Sequence, residues 1–414
     1  MHDVLVQNPR MPTLRTDALV IGSGPAGSAA ARVLAGAGRS VLLVDRGTFG
    51  RDKVCGDALI PDALRALGRL GLKERVLREA AKLDAVCVHS PNGSSITLDA
   101  EVACLPRPRL DDLMRTAAVE SGARFLARYR LAHAIEHDGA VAGAVFDGAD
   151  ARDTLRVNAA FTVLATGAAS GPLEMFGVCE RKSASAVAAR IYLRAPDAMA
   201  AQYRHLCISY DRAICPGYGW IFPGPGAIFN VGVGYFTDAG SALPTRNPRK
   251  LLARFIETFA PARRLAECSQ RLTDVRGAPL RTALTGAKLA RPGLFVVGEA
   301  AGLTYSLTGE GIGKAIESGI IAAESIAGAL SDRARDKREL AEAYASTVRS
   351  VFGERFYAYA LAQRWLARPA VADFVAWRAN RGERVRRQLE ALLAETEDPR
   401  VLFSVTGMLK SLVA

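Results

Sequence analysis

The sequence predicts an α/β fold with a doubly wound parallel sheet, an inserted antiparallel sheet and a helical C-terminus. Three stretches predict it. Residues 17–47, "DALVIGSGPAGSAAARVLAGAGRSVLLVDRG", read as strand, glycine turn, small-residue helix and second strand, which is one βαβ unit. Residues 292–326, "PGLFVVGEAAGLTYSLTGEGIGKAIESGIIAAESI", repeat the strand, glycine loop and helix order. Between them Tyr218, Trp220 and Phe222 alternate, so they share one face of a strand in an antiparallel sheet over 184–236.

In the first stretch Gly22 permits the tight turn, and Gly24 with Pro25 and Ala26 lets backbone amides approach a pyrophosphate. Gly27 lets the helix pack close to the sheet. The helix N-terminus then faces the anion. Asp45 follows Gly27 by 18 residues, near the spacing at which a carboxylate, with Arg46 beside it, meets ribose hydroxyls. The motif therefore predicts dinucleotide binding.

Composition narrows the class. The 414 residues suffice for two or three domains and a large core, and 50% hydrophobic with 23% charged residues is the composition of a folded enzyme. The net charge of +12 is spread along the chain. Without a nucleic-acid motif it predicts a solvated basic surface, or attraction to anionic ligands or an anionic membrane face, and no DNA or RNA partner. Seven cysteines, Cys55, Cys87, Cys104, Cys179, Cys207, Cys215 and Cys268, form no CxxC pair and no zinc spacing, so neither a disulfide framework nor a metal site is expected. The five histidines form no constellation for a His-based nucleophile or general base. The N-terminus lacks a signal-peptide pattern and no apolar run reaches membrane-spanning length, which predicts a reduced, cytoplasmic protein.

The second glycine stretch resembles the distal half of the FAD signature in glutathione-reductase-like flavoproteins. The resemblance places Gly298 and Glu299 at the ribityl or ribose end, where that family usually has Asp. It aims the helix that opens at Gly309, Gly311 and Ile312 at the flavin pyrimidine edge, where amides stabilise reduced flavin. Three further stretches are "KVCGDALIPDAL" (53–64), "LPRPRLDDLMRTAAVESGARF" (105–125) and "PGYGWIFPGPGAIFNVGVGYF" (216–236). Taken in this order with GEAAG and TGEGIGKAIESG, they resemble the geranylgeranyl reductase family of p-hydroxybenzoate hydroxylase-like flavoproteins over about residues 16–330.

That resemblance implies FAD, a small hydrophobic substrate and a reductant, either NAD(P)H or an electron-transfer protein such as ferredoxin. It implies an FAD-binding domain in three parts, 1–84, 106–178 and 273–333. Substrate-domain strands fall in 85–105, an antiparallel substrate domain in 179–272 and a helical cap in 334–414. Cys55 and Gly56 would lie against the flavin, the thiol serving as proton donor, flavin tuner or packing group. Arg109 matches the family's arginine near the FAD. Tyr218, Trp220, Phe222 and Pro223 match its YxWxFP motif and would line the substrate cavity or its core backing.

Thr166 and Gly167 stand where relatives read Asp-Gly, which weakens the expectation of direct NADPH handling, and Ser306 replaces a common proline. The expected reaction is reduction of a carbon–carbon double bond in an isoprenoid or related intermediate, with Cys55, Tyr218 and Tyr305 as available proton donors. The alternative is an FAD-dependent monooxygenase acting on a hydrophobic intermediate. A non-catalytic carrier is the third reading. In the C-terminal part Phe352, Phe356 and Tyr359 share one helical face, as do Val385, Leu389 and Leu393, and "RANRGERVRRQ" is basic. These helices would cap a domain or make peripheral membrane contact.

Overall fold

The computed structural model describes residues 12–48, 50–150, 153–236, 247–284, 286–332 and 336–404. Its first strand, Thr13–Ile21, runs parallel to Val41–Asp45 on one side and to Thr154–Leu164 on the other. Leu294–Val296 extends the parallel set beyond Thr154–Leu164, and Arg124–Ala127 extends it beyond Val41–Asp45. The buried parts of these strands, Ala18–Ile21, Val41–Val44 and Leu294–Val296, are runs of apolar residues inside the main core cluster.

Two helices of small residues hold the halves of this domain together. Pro25–Gly36 begins with proline at its first position, where the missing N–H is harmless, and its Ala26 and Ala29 face the helix Ile312–Ser331. A Cβ on Gly319 would lie 2.3 Å from the Ala26 carbonyl oxygen, so only a side-chain-free residue permits this approach. Segments nearly 300 residues apart thereby meet at one end of the sheet.

The second sheet is mostly antiparallel. Ala186–Arg194, Ile228–Phe236 and Tyr218–Pro223 pair in that order, and Leu206–Ser209 links them to Ala81–His89 and Ser95–Cys104. Ala58–Leu59 closes the far edge, and Arg276–Leu280 pairs with Ala186–Arg194. This sheet thus takes residues from 58–59 and 276–280, outside the segments 85–105 and 179–272 that sequence assigns to it, because edge pairing with distant strands leaves no local signal.

Alternation along Tyr218–Pro223 divides the sheet's two faces. Ile221 packs with Phe255 and Leu252 of the covering helix Pro248–Thr258, whereas Tyr218, Trp220 and Phe222 pack on the opposite face with Phe236. The helix Lys337–Leu366 packs on the first domain, where the Tyr344 hydroxyl donates to the Val296 carbonyl at 2.8 Å. The helices Pro369–Arg381 and Glu383–Leu393 lie against Ser95–Cys104, burying Val385 with Ile96 and Leu98. The C-terminal segment therefore spans both domains as a cap. No described helix is long and apolar enough to cross a membrane.

Candidate active site

The nucleotide elements converge at the carboxyl ends of the parallel strands, the place where open α/β sheets bind ligands. Gly22 turns there with φ +105°, and a Cβ on Gly27 would sit 1.8 Å from the Gly22 carbonyl oxygen. Gly24 differs. The nearest atom to a Cβ at Gly24 is an Arg107 guanidinium nitrogen at 3.8 Å, so the space above the turn is open and lies beside a cation and a helix N-terminus.

Asp45 ends the second strand. Its carboxylate accepts from the Ser23 amide at 2.7 Å and hydroxyl at 2.9 Å, and from the Gly47 amide at 2.7 Å. Burial pushes this carboxyl up, but the two amides and Arg51 more than offset it and hold it below its ordinary value. An ionised carboxylate has capacity for about four hydrogen bonds, so acceptor sites remain for ribose hydroxyls. Arg46 beside it is exposed.

Gly298 and Glu299 follow the strand Leu294–Val296. One Glu299 carboxylate oxygen pairs with Lys53 Nζ at 2.6 Å, while the other is buried without a partner. Such an orphan costs stability unless something donates to it, and a ribityl or ribose hydroxyl has the needed chemistry. The open anion cradle at Gly24, the acid at Asp45 and this unsatisfied acid together fit FAD.

The loop before Ile312–Ser331 is fixed by side chains on both sides. Gly309 adopts φ +65°, and a Cβ there would lie 2.5 Å from the Tyr218 hydroxyl, which donates to the Thr308 carbonyl at 2.6 Å. Gly311 caps the helix, and Glu310 accepts the Gly313 amide at 2.7 Å. That bond satisfies one of the helix's orphan amides and leaves others at this end.

The Cys55–Gly56–Asp57 turn packs on the aromatic strand. A Cβ on Gly56 would lie 2.9 Å from the Phe222 ring. Asn230 donates to the Cys55 carbonyl and to the Asp57 carboxylate, both at 2.7 Å, and accepts from Trp220 Nε1 at 2.9 Å. Tyr192 donates its hydroxyl to the same carboxylate, and the Arg107 amide donates to its other oxygen at 3.1 Å. Asp57 holds φ +68°, a left-handed conformation that Asp tolerates better than most residues.

Burial raises the Asp57 carboxyl to about 6, with the Tyr192 and Asn230 hydrogen bonds limiting the rise. Burial also pushes the Cys55 thiol up, partly countered by the charge of Arg107. The thiol therefore keeps its proton at neutral pH.

Sequence reasoning brings Cys55, Gly56, Tyr218, Trp220, Phe222 and Pro223 to one place; the structure sets the Cys55–Gly56 turn against the strand carrying Tyr218, Trp220 and Phe222, and alternation puts Pro223 on that strand's other face. The three rings are 8%, 5% and 7% exposed; Trp220 stacks on Phe222 and Tyr218 tilts against Trp220, so they form a packed wall. Two other expectations need correction. Arg109 points outward and pairs with Glu79 and Asp112, with its side chain half exposed. Arg107 is the arginine at the glycine turn, held by a two-pronged pair with the buried Asp111 at 2.7 and 2.8 Å. Two positions along a helix rotate a side chain by about 200°, so the residues of "RPR" face opposite ways.

Tyr305 is likewise turned from Cys55. Its ring stacks on Tyr359 at 4.2 Å and tilts against Phe356 at 4.6 Å, and the charges nearest its hydroxyl are Glu395 and Lys314. The helix Lys337–Leu366 supplies this stacking, and Tyr305 is fully buried against it. Lys53, Asp57, Arg107, Tyr192 and Asn230 had no assigned role in sequence. Only the Arg107–Asp111 spacing of four carries a local signal.

A family model described as an FAD binding domain matches residues 15–355. The chain belongs to this FAD-binding family. Its curated relatives are named as reductases, while solved structures of similar fold also include a flavin-dependent brominase, at 19% identity and a TM-score of 0.74. A menaquinone reductase of Mycolicibacterium smegmatis is 33% identical over 332 residues, covering 75% of this chain and 76% of the relative. Digeranylgeranylglycerophospholipid reductase 2 of Methanosphaera stadtmanae is 28% identical over 365 residues, covering 85% and 88%. A geranylgeranyl bacteriochlorophyll reductase-like structure from Thermoplasma acidophilum superimposes with a TM-score of 0.76 at 21% identity, covering 97% and 96%, which is a likeness of fold. The FAD-binding protein is accordingly an FAD-dependent oxidoreductase.

Proposed function

We propose that this oxidoreductase reduces a carbon–carbon double bond in the polyprenyl part of a hydrophobic lipid. One observation carries the reading: a protonated thiol, Cys55, is held beside a cation, Arg107, and next to Gly56, which packs on the Phe222 and Trp220 rings. Saturating an isolated alkene needs a hydride, a proton, and exclusion of water while positive charge develops on carbon. Bound reduced FAD supplies the hydride.

This chain's residues supply the rest. The Cys55 thiol donates its proton to one alkene carbon while hydride reaches the other, so both new C–H bonds are accounted for and a thiolate remains. Arg107, close to that sulfur, and the Asp57 amide, 3.4 Å from it, stabilise the thiolate. Asp57, near 6 and two residues away, is the carboxyl from which the thiolate can regain a proton. Tyr218, Trp220 and Phe222 exclude water and offer π faces to developing positive charge. The polyprenyl chain is the group common to menaquinone and digeranylgeranylglycerophospholipid, the compounds named for the two relatives.

The test is product mass. The chemically reduced protein, incubated without oxygen with a polyprenyl quinone or a digeranylgeranyl lipid, should yield a product heavier by two hydrogens. A product heavier by one oxygen, formed only in air, would replace this reading with the monooxygenase.

A further inference from the structure

Beside the flavin elements lies a second, cationic recess, a shallow one open to solvent and lined by Arg181, Arg281, Lys288, Val178, Ala283 and Gly302. Arg281 is only 6% exposed, and no described residue pairs with its guanidinium, whose Nε is fully enclosed. Nε and Nη1 of Arg181 are also buried without acceptors, and its remaining nitrogen makes one long contact, 3.5 Å, to the Ala283 carbonyl. Lys288 stands exposed at the edge, its ammonium 3.3 Å from the Gly177 carbonyl. Glu180 is the acid nearby, 4.0 Å from the point where a Cβ on Gly286 would lie, and it pairs with none of the three.

A buried, unpaired guanidinium costs far more than a neutral side chain, and two of them facing one recess repel each other. Burial and the charge of Arg281 accordingly pull Arg181 below its ordinary value. Packing does not explain the arrangement, since an aliphatic side chain would fill the same space without that cost. A ligand of opposite charge does, because arginine's planar fork matches the geometry of phosphate oxygens.

We infer that this recess is an anion site for a phosphate or diphosphate group. The site is separate from the Gly24 cradle, where Arg107 is already paired with Asp111. It meets the flavin elements at the turn that follows Glu299, where Ala300, Ala301 and Gly302 line it and the Gly302 amide donates to the Glu299 carbonyl at 3.0 Å. Two sources present this chemistry beside a flavin: the phosphates of a nicotinamide nucleotide reductant, and the diphosphate of a prenyl substrate.

The test titrates the FAD-loaded protein with inorganic pyrophosphate by calorimetry, with flavin absorbance recorded in parallel. One ion should bind per chain with flavin retained, and it should raise Tm. Arg281→Gln should weaken binding by about ten-fold or more, the loss expected for charge-assisted hydrogen bonds. Without ligand it should melt no lower than wild type, because an unpaired buried charge has gone. Lys288→Gln, at the exposed edge where folding is not at stake, should weaken binding several-fold. Competition by pyrophosphate against NADPH in flavin reduction assigns the site to the reductant, and competition against geranylgeranyl diphosphate assigns it to the substrate. Absence of binding, equal binding by both variants, release of flavin by the ion, or competition with neither ligand would overturn the inference.

Discussion

Asn230 donates to the backbone carbonyl of Cys55 at 2.7 Å, across 175 residues of sequence. Its amide joins the second sheet to the thiol turn, and its oxygen holds Trp220 in place. Asn230→Ala would leave Trp220 Nε1 and the Cys55 carbonyl without this partner in a buried site, and Asp57 with one donor fewer, at a cost of about 1–3 kcal/mol. Denaturant unfolding should show that loss, and the variant should keep FAD while turning over more slowly, because Gly24 and Asp45 are untouched. Loss of flavin with the turn would contradict the separation of cofactor and proton-donor elements.

The Asp57 carboxyl sets a pH dependence. Folding raises it from 3.8 to about 6, so the native state binds the proton more tightly than the unfolded chain. The associated stability is complete below the unfolded value and is lost as pH rises through about 6, a change of about 3 kcal/mol. Wild type should therefore lose stability relative to Asp57→Asn between pH 4 and pH 7. Parallel stability curves for the two proteins would show that Asp57 does not titrate in this window.

The two arginines of "RPR" make a paired test. Arg107→Gln strands the buried Asp111 carboxylate, which should cost about 3–5 kcal/mol and weaken FAD retention. Arg109→Gln removes exposed pairs with Glu79 and Asp112 and should change stability by about 0.5 kcal/mol or less. Equal effects on flavin retention would contradict the assignment of Arg107 to the glycine turn.

What sequence made legible here follows the range of the interactions. The glycine turn at Gly22–Gly27 and the acid at Asp45 are local patterns, and the alternation of Tyr218, Trp220 and Phe222 is fixed by strand geometry. Gly56 and Cys55 were legible only through a family motif. Asp57 carries no special signal in "CGDA", because its burial depends on Tyr192 and Asn230, which arrive from other strands. Tyr305 misleads for the same reason: the ring that captures it, Tyr359, lies 54 residues downstream.

Those tyrosines separate by a simple pair of variants. Tyr305→Phe removes a buried hydroxyl that has no partner, so stability should hold or rise and turnover should stay within about two-fold of wild type. Tyr218→Phe removes the bond to the Thr308 carbonyl and should loosen the loop before Ile312, lowering turnover more than Tm. The reverse ranking in steady-state rates would restore Tyr305 as a proton donor.

The most direct measurement follows one half-reaction. Wild type and Cys55→Ser are reduced without oxygen and mixed with an oxygen-free polyprenyl lipid, and the return of the oxidised flavin spectrum is timed. Wild type should reoxidise with formation of the saturated product, and Cys55→Ser should bind FAD fully yet reoxidise more slowly, with a changed pH profile. If neither protein reoxidises until air is admitted, reduction of a double bond is not the reaction this site performs.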